Sequence, residues 1–133
     1  MTALVDSNVL LDLVSEESEW TAWSADALAR CAEVEPLVIN PVIYAEVSVH
    51  YPRMEDLDNA LTPDRFAREA IPFAAAFLAG KAFVAYRRRG GLRTSPLPDF
   101  FVGAHALVAG YRLLTRDTAR YRTYFPNLPL IAP

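Results

Sequence analysis

The sequence predicts an α/β sandwich built around a mainly parallel sheet, on three observations. Four short apolar runs, Thr2 to Val5, Leu37 to Ile39, Leu113 to Thr115 and Leu128 to Ile131, alternate with longer stretches of helical spacing. Helix-start chemistry follows two of them, as Asp6-Ser7-Asn8 and as Asn40-Pro41. Two carboxylates, Asp6 and Asp117, follow strand-like runs. Parallel sheets covered by helices form their sites beyond the carboxyl ends of the strands.

Each element has its own grounds. Thr2 to Val5 reads as a short buried strand, followed by a helix through Val9 to Val14. Glu19 to Val34 is amphipathic, with Trp20, Trp23, Ala27, Leu28 and Cys31 near helical spacing. After the strand Leu37-Val38-Ile39, Asn40 caps a helix and Pro41 suits its first turn; the helix runs to about His50, before Pro52. Residues 54–62 and 63–70 read as two short helices, the second opened by Thr62-Pro63. Pro72 opens a longer helix through Tyr86 that Gly90-Gly91 ends, and Leu92 to Pro98 is a loop. Asp99 to Tyr111 is a helix whose Gly103, Ala104, Ala106 and Ala109 suit close packing. Leu113-Leu114-Thr115 is a third strand, Thr118 to Tyr124 a short helix and Leu128 to Ile131 an edge strand. Without a repeat, linker or low-complexity segment, residues 1–133 form one domain.

Composition excludes several classes. A chain of 133 residues, 53% of them hydrophobic, can bury one packed core and is not disordered. The single cysteine, Cys31, forms no internal disulfide, fits a reducing cytoplasm and reads as a small buried hydrophobe. No signal peptide is visible, and the longest apolar stretch, Ile71 to Tyr86, contains Lys81 and is shorter than the roughly 20 residues of a spanning helix. A soluble cytoplasmic protein without membrane partners is expected. The net charge of −3 is uneven: residues 1–69 carry 14 acids and 4 bases, residues 70–133 carry 2 acids and 9 bases. The basic half suits phosphate contacts, and equally a solvated face.

The two late acids are Asp99 and Asp117, and each has an earlier counterpart in Asp6 and Glu46. Taken singly, Asp6 and Asp117 serve as well as caps, and Asp99 as a helix-start carboxylate favoured by the helix dipole. Glu46 shares a helix face with Val42, Ile43 and Val49, where a lone carboxylate is costly unless paired or bound to metal. Four dispersed carboxylates tied to element ends suggest one site, held together by a hard divalent cation such as Mg²⁺ or Mn²⁺. Asn8 and Thr115, each two residues from an acid, can orient it or act as turn and cap residues. With only His50 and His105, a zinc site is not expected, and His105 reads as a helix-packing residue. No Gly-rich phosphate loop or G-x-S-x-G elbow is present.

These residues resemble those of the PIN-domain ribonucleases, in particular the VapC-type toxins of bacterial toxin–antitoxin systems. Leu4-Val5-Asp6-Ser7-Asn8-Val9-Leu10 resembles the first acidic motif and Tyr44-Ala45-Glu46-Val47 the second. Pro98-Asp99-Phe100-Phe101-Val102-Gly103-Ala104-His105-Ala106 resembles the third, and Leu113-Leu114-Thr115-Arg116-Asp117 the fourth. The ending Tyr124 to Ile131 resembles the closing turn and strand. Residues 52–93 match only in helical character, and His105 stands where many relatives have a small or hydroxyl residue.

The resemblance implies a PIN-like α/β/α sandwich and a Mg²⁺-dependent endoribonuclease that cleaves phosphodiester bonds by metal-activated water. Asp6 and Asp99 would be the principal ligands, Asp117 a ligand directly or through water, and Glu46 the completion of the negative pocket. Mn²⁺ could replace Mg²⁺. Arg87, Arg88, Arg89 and Arg93 beside the Gly-Gly turn are candidates to grip RNA, and Arg116 to contact the scissile strand. A homodimer and a cognate antitoxin are implied partners, with apolar helix surface in residues 19–34 and 72–86 serving either both interfaces or simply the core. Two alternatives stand beside this: a receiver-like Mg²⁺-binding signalling domain, and a PIN-like module that binds without catalysis. The first is weakened because the only lysine, Lys81, sits mid-helix.

Overall fold

The structure, a computed structural model, describes residues 1–14 and 18–133. Five strands form one all-parallel sheet: β1 (Ala3–Val5), β2 (Leu37–Ile39), β3 (Phe66–Arg68), β4 (Arg112–Leu114) and β5 (Leu130–Ile131). The helices are α1 (Ser7–Val14), α2 (Thr21–Val34), α3 (Pro41–Ser48), α4 (Met54–Ala60), α5 (Phe73–Arg88), α6 (Pro98–Ala109) and α7 (Ala119–Tyr124). They flank the sheet, as the expected α/β sandwich requires.

The spatial order is β3-β2-β1-β4-β5. The chain therefore steps outward from β1 through β2 to β3, crosses back, and builds β4 and β5 on the other side. That reversal opens a crevice beyond the carboxyl ends of β1 and β4. β1 is central, with Ala3 and Leu4 opposite Leu37 and Val38 on one side and Ala3 to Val5 opposite Arg112 to Leu114 on the other. Its three residues are fully buried, which is why it reads as continuously apolar rather than alternating.

Several local expectations are met by the expected chemistry. Asn40 caps α3, its Oδ1 accepting the Ile43 N–H at 3.0 Å, with Pro41 in the first turn. α5 ends at Arg88, and Gly90 beyond it takes φ 91°, a backbone angle only glycine adopts cheaply. The small residues of α6 do allow close approach: a Cβ on Gly103 would lie 2.6 Å from the Phe125 ring. Phe100, Tyr86 and Tyr124 pack edge-on nearby, tying α5, α6 and α7 together.

One expected element is wrong. Residues 63–70 form no helix; the Thr62 carbonyl accepts the Arg65 and Phe66 N–H groups in a single turn, and Phe66 to Arg68 then pair with Leu37 to Ile39. Phe66 is buried while Ala67 and Arg68 face outward. Three residues of an edge strand are too few to show a period of two, so Thr62-Pro63 looked like a helix start. The sheet consequently has five strands, and Leu113 lies in the fourth of them.

Candidate active site

Asp6 is the first residue past β1 and Thr115 the first past β4, so both project at the crevice the topology creates. Asp6 is 3% exposed and its carboxylate is surrounded by donors. Oδ1 accepts the Ser7 N–H at 2.8 Å; Oδ2 accepts the Tyr121 hydroxyl at 2.7 Å, the Thr115 hydroxyl at 2.9 Å and the Asn8 amide at 3.4 Å. Burial nevertheless prevails and raises its pKa to about 6, with the charge of Asp99 adding to the rise and the Tyr121, Thr115 and Ser7 donors opposing it. A buried carboxyl kept this far from its ordinary range is a candidate functional group.

Of the other three acids, Asp99 lies in the first turn of α6 and is coupled electrostatically to both Glu46 and Asp117. Burial raises the Asp99 pKa, Asp117 adds to the rise, and Arg120 opposes it. Burial likewise raises the Glu46 pKa, with Asp99 contributing, while the Ser7 hydroxyl donates to Glu46 at 3.0 Å. Asp117 is exposed, and its N–H donates to the Thr115 hydroxyl at 3.2 Å. Asn8 links the pieces: its amide donates to the Thr115 hydroxyl at 3.0 Å and its carbonyl accepts the Arg116 N–H at 3.2 Å. Two clefts meet at Asp99 and Arg120. One also contains Asp117, Tyr86 and Tyr124; the other contains Glu46, Arg93 and Pro98.

The donor set is all oxygen, as a hard divalent cation requires. Among the described residues, no group of three or more His, Cys, Asp and Glu side chains is drawn together as a ready metal site. Instead, Arg120 Nη1 lies 3.2 Å from Asp99 Oδ2, and Asp6 Oδ2 is taken by its three donors. By chemistry the four acids still suit a cation: all are carboxylates, Asp99 raises the pKa of Asp6 and Glu46, and Asp117 raises that of Asp99.

The arginines expected to meet RNA sit in different settings. Arg116 is clamped to the buried Asp12, Nε to Oδ2 at 2.8 Å and Nη2 to Oδ1 at 3.1 Å, with its guanidinium 5.7 Å from the Trp20 ring centroid. Arg87 donates to the carbonyls of Gly91 and Arg93, and Arg89 lies over the Tyr124 ring. Arg88 is exposed at the end of α5, and Arg93 lines the cleft with Glu46. His105 is buried away from the acids. Asn40 Oδ1 is engaged by the Ile43 N–H, so its amide donates to His105 Nδ1 at 3.1 Å, and Nε2 carries the proton towards Glu69, 3.6 Å away. Burial lowers the His105 pKa against the opposing charge of Glu69. Its role is packing and cross-linking between α6, the α3 cap and Glu69.

Sequence reasoning missed Ser7, Asp12, Arg120 and Tyr121. A signal existed for the last two: they fall three and four residues after Asp117, one helical turn on.

The family model described as PIN domain matches residues 3–126. The chain belongs to the PIN domain family. This membership leaves the receiver-like alternative without support. PIN nucleases as a class act on nucleic acid and in general use divalent metal ions. No curated protein matches the chain in sequence. Among solved structures it is similar to VapBC2 of Rickettsia felis bound to a promoter DNA fragment, at 16% identity and TM-score 0.74, covering 100% of this chain and 99% of that one. It is also similar to VapBC-1 of nontypeable Haemophilus influenzae, at 17% identity and TM-score 0.73, covering 99% and 98%. A toxin–antitoxin complex from Klebsiella pneumoniae gives 23% identity and TM-score 0.68, covering 97% and 95%. At these identities the similarity speaks to the fold. Among the described residues of this PIN domain, no helix is long and apolar enough to cross a membrane.

Proposed function

We propose that this PIN-domain protein is a divalent-metal-dependent endoribonuclease, the toxin of a toxin–antitoxin pair of the VapC type. The observation that carries the reading is the buried Asp6 carboxyl beyond β1, held by Tyr121, Thr115 and Asn8, with Asp99 raising its pKa and that of Glu46. Asp6 and Asp99 would hold Mg²⁺ or Mn²⁺, with Asp117 assisting and Glu46 completing the pocket. When bound, the ion supplies a lowered pKa for an attacking water and offsets charge on the phosphoryl oxygens.

The protein's own groups do the rest. Tyr121, Thr115 and Asn8 hold Oδ2 of Asp6, fixing how the carboxyl faces the crevice. Ser7 holds Glu46, which would accept a proton from the attacking water. In-line attack leaves a 5′-phosphate and a 3′-hydroxyl. Arg93, which lines the cleft, and the exposed Arg88 would bind the RNA backbone, which gives affinity without sequence choice.

A cognate antitoxin and a homodimer complete the reading. The similar solved structures are toxin–antitoxin complexes, and α5 exposes Phe73 (95%) and Phe77 (68%) to a partner. The free, buried Cys31 suits the cytoplasm. The test is incubation of the purified protein with tRNA and ribosomal RNA in Mg²⁺, Mn²⁺ or EDTA. Cleavage in metal alone, leaving 5′-phosphate ends, is expected. Intact RNA under every condition, with the ion still bound, would favour the module that binds without catalysis.

A further inference from the structure

Among the described arginines near the site, Arg120 alone pairs with one of the four acids. Arg116 is committed to Asp12, Arg87 to two backbone carbonyls and Arg89 to the Tyr124 ring. Arg120 contributes to both clefts that meet at Asp99. Its place on α7 is fixed by its neighbour: Tyr121 is 1% exposed and hydrogen-bonded to Asp6. Its own side chain is not fixed. The guanidinium contacts Asp99 through one nitrogen at 3.2 Å, and the side chain is 42% exposed.

We infer that Arg120 is the counter-ion of Asp99 in the metal-free protein and, once a divalent ion takes Asp99, the arginine that contacts the RNA phosphate. The inference rests on the nuclease reading above. A half-exposed, single-contact ion pair holds weakly. A doubly charged ion drawn by four carboxylates displaces it without rearranging the backbone. Once released, a planar guanidinium whose base is held beside the crevice matches a phosphate in two parallel hydrogen bonds, as no lysine can. Arg120 thereby keeps the repelling acids together before metal arrives and supplies positive charge to substrate afterwards.

The test uses Arg120→Ala, Arg120→Lys and, as a control on the same helix, Arg122→Ala. Calorimetric titration with Mn²⁺ reads the first role: Arg120→Ala should bind Mn²⁺ about two- to fivefold more tightly, the worth of a partly exposed ion pair. Arg122→Ala should match the wild type. Anisotropy of labelled tRNA in Ca²⁺, with integrity checked on a gel, reads the second role. Arg120→Ala should bind more weakly, and its slope of log affinity against log salt should be shallower by about 0.7 to 0.9, one phosphate contact. Arg120→Lys should keep the salt slope but lose part of the affinity. Unchanged or weaker Mn²⁺ binding by Arg120→Ala overturns the counter-ion role, and an unchanged tRNA slope overturns the phosphate contact. If the wild type itself binds no Mn²⁺, the nuclease reading falls and takes this inference with it.

Discussion

At the scale of single residues, Asp6 carries the account because it is buried, donor-rich and still hard to ionise. Its folded pKa of about 6 lies above the ordinary 3.8, so the folded state binds the extra proton between those values. The corresponding stability is complete below pH 3.8 and is lost as pH rises through 6. Asp6→Asn removes that titration. In EDTA, the variant should therefore gain on the wild type by up to about 3 kcal/mol between pH 4 and pH 7, measured by urea unfolding. A difference independent of pH would mean that Asp6 ionises normally. Tyr121→Phe should cost about 1.5–3 kcal/mol, the worth of a hydrogen bond to a charged group, and push the Asp6 titration higher still. Asp6 was legible in the sequence as an acid closing an apolar run. Tyr121 offered only its spacing from Asp117, because the partner of its hydroxyl, Asp6, lies 115 residues away.

At the scale of elements, the helices that bear the acids are held by polar contacts as well as packing. Asn40 caps α3, which bears Glu46, and also donates to the buried His105 of α6, the helix that bears Asp99. Asn40→Ala should cost about 2–4 kcal/mol, a lost cap plus a buried ring nitrogen left without a donor. A loss no larger than that of an ordinary cap would deny His105 its linking role. Arg116→Ala should destabilise by about 2–4 kcal/mol, because Asp12 is left buried and unpaired, with Ser24 its remaining side-chain donor. Thermal unfolding separates that outcome from a pure loss of RNA affinity. Gly103→Val should cost about 2–3 kcal/mol by overpacking against Phe125. The Asn40-Pro41 start and the small residues of α6 were readable because their chemistry is local. β3 was not, since three edge residues acquire strand character only through pairing with β2. Asp12 was not either, because its partner lies 104 residues away.

At the scale of the whole molecule, strand order does what no motif can. Reversal beside β1 opens a crevice next to Asp6, and two adjoining clefts share Asp99, one with Glu46 and the other with Asp117. The order of the acids along the sequence was visible, but the coupling of the others to Asp99 and the intruding Arg120 required the fold. The central claim is that this crevice is a metal-dependent ribonuclease site. The measurement that tests it most directly compares cleavage of tRNA and ribosomal RNA by the wild type and Asp99→Asn, in Mn²⁺ and in EDTA, with Mn²⁺ binding followed in parallel. The account predicts metal-dependent cleavage by the wild type, and loss of both cleavage and tight Mn²⁺ binding in a variant that remains folded. Cleavage that survives in Asp99→Asn would contradict it.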